Sequence, residues 1–306
     1  MPPAASSPGP RARAGRALRT ARAAAGLAAT RAQLQVLQAV APRAAGRRAV
    51  DLWCTYPAGA RRRDLRPGPG DLIRLPAARA GDVVVESWGA GPVVYLVHGW
   101  GGWRGQLGAF VGPLVAAGHR VVAFDAPGHG EAAPGFMGPG RGTLMELMEA
   151  LEAVGRVMGP AAGVVAHSLG TTSAAHVVHA GFPADRLVLV APNGSFADLV
   201  GRFAGALGLR GRTTNELRAA LEQATGHRLA DFDIAPLGSD GGMPDTLVVH
   251  DRRDRQVAHA EGEAIAAAWP NARLVSTDGL GHQRILADPA VVAAVVEHLT
   301  GSSTAA

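Results

Sequence analysis

The sequence predicts an α/β fold, a mostly parallel sheet of eight strands with helices on both faces. Two observations predict it. First, short continuous apolar runs alternate with helix-compatible stretches such as Leu144–Met158 and residues 261–269. Runs without polar alternation suit strands covered on both faces, as in parallel sheets. Second, Val164-Val165-Ala166-His167-Ser168-Leu169-Gly170 reads as a buried strand that passes through a serine straight into a helix. Small residues two positions either side, Ala166 and Gly170, let strand and helix approach that closely.

In chain order, residues 1–69 form a basic, Ala/Arg-rich extension and residues 70–301 the globular domain. Residues 1–12 have the Pro, Ala, Ser and Arg content of a disordered segment. Residues 14–40 favour helix, with Leu18, Leu27, Leu34 and Leu37 among Ala, Arg and Gln. Arg13, Arg16, Arg19 and Arg22 recur every three residues, a stripe suited to weak contact with a membrane or another anionic surface. Residues 61–70, three arginines followed by Asp-Leu-Arg-Pro-Gly-Pro-Gly, read as a linker. Residues 71–75 and 82–88 suit an opening antiparallel pair. Then come the apolar runs Val93-Val94-Tyr95-Leu96-Val97, Val121-Val122-Ala123-Phe124, Val164-Val165, Leu187-Val188-Leu189-Val190, Thr246-Leu247-Val248-Val249 and Arg273-Leu274-Val275-Ser276. The crossover after residue 191 is longer than one helix needs. It carries an amphipathic stretch at 196–209. A capping box, Thr213-Thr214-Asn215-Glu216, then opens a helix that ends at Gly226. Residues 193–244 are therefore expected to form a small helical lid.

Composition narrows the class. All 30 basic residues are arginine, a coding bias with no functional content. Residues 1–66 carry 13 Arg against Asp51 and Asp64, a net of +11, so the remainder is mildly acidic at −6. Cys54 is the sole cysteine, which excludes an intrachain disulfide and a cysteine metal site. No run of 18 apolar residues exists, and the basic N-terminus lacks the apolar core of a secretory signal. A bacterial cytoplasmic protein with no nucleic-acid partner is the expectation.

Chemistry concentrates at strand ends. His98-Gly99-Trp100 follows the third strand and Asp125-Ala126-Pro127-Gly128-His129-Gly130 the fourth. The Ser168 turn follows the fifth, the run 250–257 the seventh, and Gly281-His282 the eighth. In this order the motifs resemble those of the serine α/β-hydrolases, esterases and lipases among them, over about residues 70 to 300. The resemblance implies an eight-stranded α/β-hydrolase sheet and a triad of Ser168 as nucleophile, His282 as base and Asp254 as acid. It implies backbone N–H donors at Trp100 and Leu169 for the oxyanion. Trp103 and Phe196 are candidate pocket residues, and no cofactor or metal is called for. Two departures stand out: Ala166 replaces a family Gly, and Asp251 takes the Gly position of the family's H-G-x-x-D-x-x-V, which leaves Asp251 a second candidate acid.

A serine hydroxyl needs a base within hydrogen-bond reach, and the base needs an acid to hold its tautomer. The expected reaction is cleavage of an ester or related acyl bond of a small molecule through an acyl-enzyme. C–C bond hydrolysis, acyl transfer, thioester or amide cleavage remain open on the same triad, as does a non-catalytic binding protein on this fold. His98 and His167 are expected to orient loops, and Asp125 to form a turn. His176 and His179 lie one helical turn apart but lack a third metal ligand. Arg252, Arg253 and Arg255 around the acid either lower its pKa or greet an anionic substrate.

Overall fold

A computed structural model describes residues 10–57, 64–78 and 81–301, with the backbone alone for residues 10–20 and Ala23. The disorder expected for residues 1–12 thus falls largely outside the described residues. So do the side chains of Arg13, Arg16 and Arg19. Ten helices and eight strands are described. The helices are α1 (Pro10–Val40), α2 (Pro42–Trp53), α3 (Val111–Ala116), α4 (Leu144–Met158), α5 (Leu169–His179), α6 (Phe196–Ala206), α7 (Gly211–Thr225), α8 (His259–Ala268), α9 (Gly281–Arg284) and α10 (Pro289–Thr300). The strands are β1 (Asp71–Pro76), β2 (Asp82–Trp88), β3 (Val93–Val97), β4 (Arg120–Asp125), β5 (Ala161–His167), β6 (Arg186–Val190), β7 (Asp245–Asp251) and β8 (Ala272–Thr277).

The strands join in one sheet of order β1-β2-β4-β3-β5-β6-β7-β8. β1 and β2 are antiparallel, as is the β2–β4 pair, and β4 through β8 are parallel. Period-two alternation of side chains divides each strand between two cores. Val164 and Ala166 of β5 face one layer with Leu147, Leu151 and Val177 of α4 and α5. Val165 faces the other, with Leu107, Phe110, Leu114 and the α10 residues Val291, Val295 and Leu299. Both faces being covered explains why the sequence showed unbroken apolar runs.

The chain divides into two compact units. One contains the described residues up to Trp53 together with Asp198–Gly226, and the other Cys54–Ala197 with the residues from His227 onward. In the first, Ala45, Gly46 and Ala49 of α2 are buried. A Cβ on Gly46 would lie 2.8 Å from that of Glu216 in α7, so the two helices meet through small residues. The Gln35 and Gln38 side-chain amides donate to the Gly208 carbonyl just past α6, at 2.8 and 3.2 Å. The N-terminal helices and the crossover helices are thus parts of one packed unit, a partnership the sequence did not announce.

Two local expectations are corrected. The capping box does not open α7: the helix begins at Gly211 behind an extended Arg210, and Thr213 sits buried inside its first turn. The Pro/Gly stretch is not a free linker over its described part, residues 64–70. Glu86 accepts from the Gly70 N–H at 2.9 Å, Trp88 Nε1 donates to the Gly68 carbonyl at 3.0 Å, and Leu65 N–H donates to the Gly105 carbonyl at 3.0 Å. Arg61, Arg62 and Arg63 lie outside the described residues. No helix among the described residues is long and apolar enough to cross a membrane.

Candidate active site

β5 delivers Ser168 at its C-terminal end, and α5 begins with the next residue. Ser168 has φ 54° and ψ −125°, a left-handed conformation costly for a residue with a side chain. The surrounding packing over-determines it. The Ser168 N–H donates to the Val190 carbonyl of β6 at 3.0 Å. A Cβ on Gly170 would lie 2.8 Å from the Val97 carbonyl and nearer still to that of His98. Gly170→Ala is therefore expected to destabilise the protein by roughly 2–4 kcal/mol. Chemical denaturation should register it as a lower midpoint at unchanged slope. Ala166, by contrast, is already accommodated at zero exposure.

Ser168 Oγ lies 3.0 Å from His282 Nε2, and His282 Nδ1 lies 2.7 Å from Asp254 Oδ2. The Nδ1–H therefore donates to the carboxylate, leaving Nε2 to accept from the serine hydroxyl. Asp254 sits on the turn after β7, with its side chain wholly buried. Its other oxygen accepts from the N–H groups of Gln256 at 2.7 Å and Val257 at 3.1 Å. Burial alone would raise the Asp254 pKa, but the nearby His250 and the hydrogen-bonded His282 outweigh it and hold the carboxyl well below its ordinary value.

Asp251, the second candidate acid, faces elsewhere. Its carboxylate accepts from Thr277 Oγ1 at 2.7 Å, from the Leu280 N–H at 2.8 Å and from the Arg253 N–H at 2.9 Å. Burial works against ionisation here too, yet these donors lower its pKa to about 2. Asp251 is a clamp that ties the turn after β7 to the loop carrying His282.

Three histidines support this arrangement. His167 Nε2 donates to the His282 carbonyl at 3.0 Å, and the two rings lie 4.7 Å apart. Burial, reinforced by the neighbouring His282, lowers the His167 pKa to about 3, so it stays neutral. His98 Nε2 accepts from the Ala126 N–H at 3.3 Å, which leaves Nδ1–H to donate to the Gly99 carbonyl at 2.8 Å. His250 went unassigned at the level of sequence. It is fully buried, with Nε2 3.3 Å from the Val257 carbonyl and 3.6 Å from Asp254. Its place as the first residue of the run 250–257 was the available signal.

The loop after β3 passes close to the serine: a Cβ on Gly99 would lie 3.0 Å from that of Ser168. The Gly102 N–H donates to the Gly99 carbonyl at 2.9 Å, which turns the chain around Trp100. Leu169 is the first residue of α5, where backbone N–H groups have no intrahelical acceptor. The Trp100 ring packs edge-on against Tyr56 at 4.8 Å.

Trp103 is buried. Its ring stacks on the guanidinium of Arg66 at 4.8 Å and lies 5.7 Å from that of Arg104. Arg104 is buried among Glu86, Asp125 and Glu131, and Trp103 helps to cover this ion cluster. Asp125, expected to form a turn, anchors the same cluster by accepting from the Arg104 N–H at 2.6 Å and the Glu131 N–H at 2.8 Å. Phe196 is buried 5.3 Å from the Phe232 ring, with its N–H donating to Asp233 at 2.7 Å. The His176 ring lies 5.8 Å from Phe232. Among the described residues no group of three or more His, Cys, Asp or Glu is arranged to hold a metal.

The sequence of residues 94–295 matches the Alpha/beta hydrolase family. The chain belongs to that family. Solved structures agree in fold. Rv0554 from Mycobacterium tuberculosis is 21% identical with a TM-score of 0.57, over 74% of this chain and 98% of that one. A hydrolase from Pseudomonas aeruginosa PA01 is 22% identical with a TM-score of 0.57, over 77% and 100%. A thermophilic esterase from Thermogutta terrifontis is 17% identical with a TM-score of 0.56, over 74% and 97%. No curated protein sequence matches this one significantly. At these identities the structural likeness is one of fold, and this α/β hydrolase must be read from its own site.

Proposed function

We propose that this α/β hydrolase is a serine hydrolase that cleaves an ester or related acyl bond through an acyl-enzyme. The observation that carries the reading is the hydrogen-bonded series Ser168–His282–Asp254. In this reading Ser168 Oγ attacks the substrate carbonyl while His282 Nε2 takes its proton. Asp254, already hydrogen-bonded to Nδ1, stabilises the imidazolium that forms. The carbonyl oxygen becomes an oxyanion and accepts the N–H groups of Trp100 and Leu169. His282 then returns the proton to the leaving oxygen, the tetrahedral species collapses, and Ser168 carries the acyl group. Water enters, His282 takes one of its protons, and the second tetrahedral species releases the acid and restores the serine. Phe196 is a candidate wall for the acyl group.

The test is a rapid-mixing assay with p-nitrophenyl esters of increasing chain length. With deacylation slower than acylation, a burst of about one equivalent of nitrophenolate per active site precedes the steady state. The chain-length optimum then sizes the acyl pocket. Turnover that persists unchanged in Ser168→Ala would sink the proposal.

A further inference from the structure

Beside His282 lies a cavity of about 550 Å³. Its wall includes Arg253, Arg255 and Arg284, with Gln256 and Gln283, and no carboxylate. The two loops that build it are held firmly. Asp251 binds both the Arg253 and Leu280 N–H groups, and Asp254 binds the N–H of Gln256, next to Arg255. Arg253 is already neutralised, paired with Asp278 at 2.6 Å. Arg284 donates to the Gly279 carbonyl, and Arg255 and Arg284 have no carboxylate partner among the described residues. Both are exposed.

Arg255 and Arg284 thus bring guanidinium groups without a carboxylate partner to the same wall as the base His282. A carboxylate entering this cavity gains charge-assisted hydrogen bonds from them.

We infer that Arg255 and Arg284 recognise a carboxylate on the substrate, so that the preferred substrates are acyl esters carrying a negative charge. This rests on the serine-hydrolase reading and adds a substrate class to it. Arg255 and Arg284 are the specificity residues, and the carboxylate is carried by either the acyl or the leaving group.

Matched substrate pairs test it. For the acyl side, mono-p-nitrophenyl glutarate is compared with p-nitrophenyl valerate. For the leaving group, 4-(butyryloxy)benzoate is compared with its methyl ester. The readout is the ratio of kcat/KM, anionic over neutral, taken within each variant and so independent of the fraction folded. Wild type is expected to favour the anionic member of at least one pair by about tenfold. The double variant Arg255→Gln/Arg284→Gln should bring that ratio close to one, and Arg255→Lys/Arg284→Lys should retain much of it. Raising the salt from about 0.05 M to about 0.5 M should shrink the wild-type ratio through screening.

Wild-type ratios near one in both pairs, or a preference unchanged in the double glutamine variant, would overturn the inference and leave the hydrolase reading intact. Fluorophosphonate capture at Ser168 without turnover of any of the four esters would do the same. Neither turnover nor capture would overturn both.

Discussion

Ser168→Ala is expected to lower kcat for any accepted ester by roughly 10⁴–10⁶-fold while leaving the fold unchanged. Alanine keeps the Cβ, so the backbone at φ 54° carries the same strain in the variant as in the wild type. The hydroxyl makes one bond of consequence, to His282 Nε2 at 3.0 Å, and its loss leaves an imidazole nitrogen that water can satisfy. Melting temperature and far-UV circular dichroism should therefore match the wild type. Loss of activity together with loss of fold would place Ser168 in the packing and not in the chemistry. Residual activity within tenfold of wild type would remove it from the mechanism.

Asp254→Asn is expected to lower kcat by roughly 10³–10⁴-fold. The substitution is mild for the backbone, since the asparagine carbonyl can still accept the N–H groups of Gln256 and Val257. The amide NH₂ then faces His282 Nδ1, which loses its acceptor. The imidazole either turns to the wrong tautomer or forms its cation without a counter-charge. Asp251→Asn should behave differently. An amide there cannot accept at both oxygen positions, so its NH₂ meets either the Arg253 N–H or the Thr277 and Leu280 donors. The loop carrying His282 should loosen, at about 1–3 kcal/mol of stability. Activity should fall less than in Asp254→Asn and recover in part at lower temperature. Equal losses in the two variants, with both folded, would mean that the acid has been assigned to the wrong residue.

Asp254 and Asp251 also show how far the sequence could be read. Their spacing singled out Asp254 through the family's pattern, and the geometry puts Asp254 on His282 Nδ1. What spacing could not convey was the job of Asp251, because two of its three donors, Thr277 and Leu280, come from a strand and a loop more than twenty residues away. The strands were legible because a two-face core demands unbroken apolar runs, as at 93–97 and 187–190. Ser168 was legible because a left-handed turn between strand and helix tolerates few neighbours.

Less legible were interactions in which the partner is distant and the local composition misleads. Pro67, Gly68, Pro69 and Gly70 have the composition of a linker, yet Glu86 and Trp88 hold this stretch. The Trp103 ring packs over Arg66 and beside Arg104, contacts that nothing in its neighbouring residues announces. In α2, small residues at 45, 46 and 49 make a smooth face that says close packing without naming the partner.

Covalent capture shows without intermediary whether Ser168 is an activated nucleophile. The protein is incubated with a fluorophosphonate and digested, and the modified peptide is identified by mass. One phosphonyl group per chain is expected, on Ser168, absent from Ser168→Ala and much slower to form in Asp254→Asn. Capture at another serine, or none on folded wild type, would contradict it.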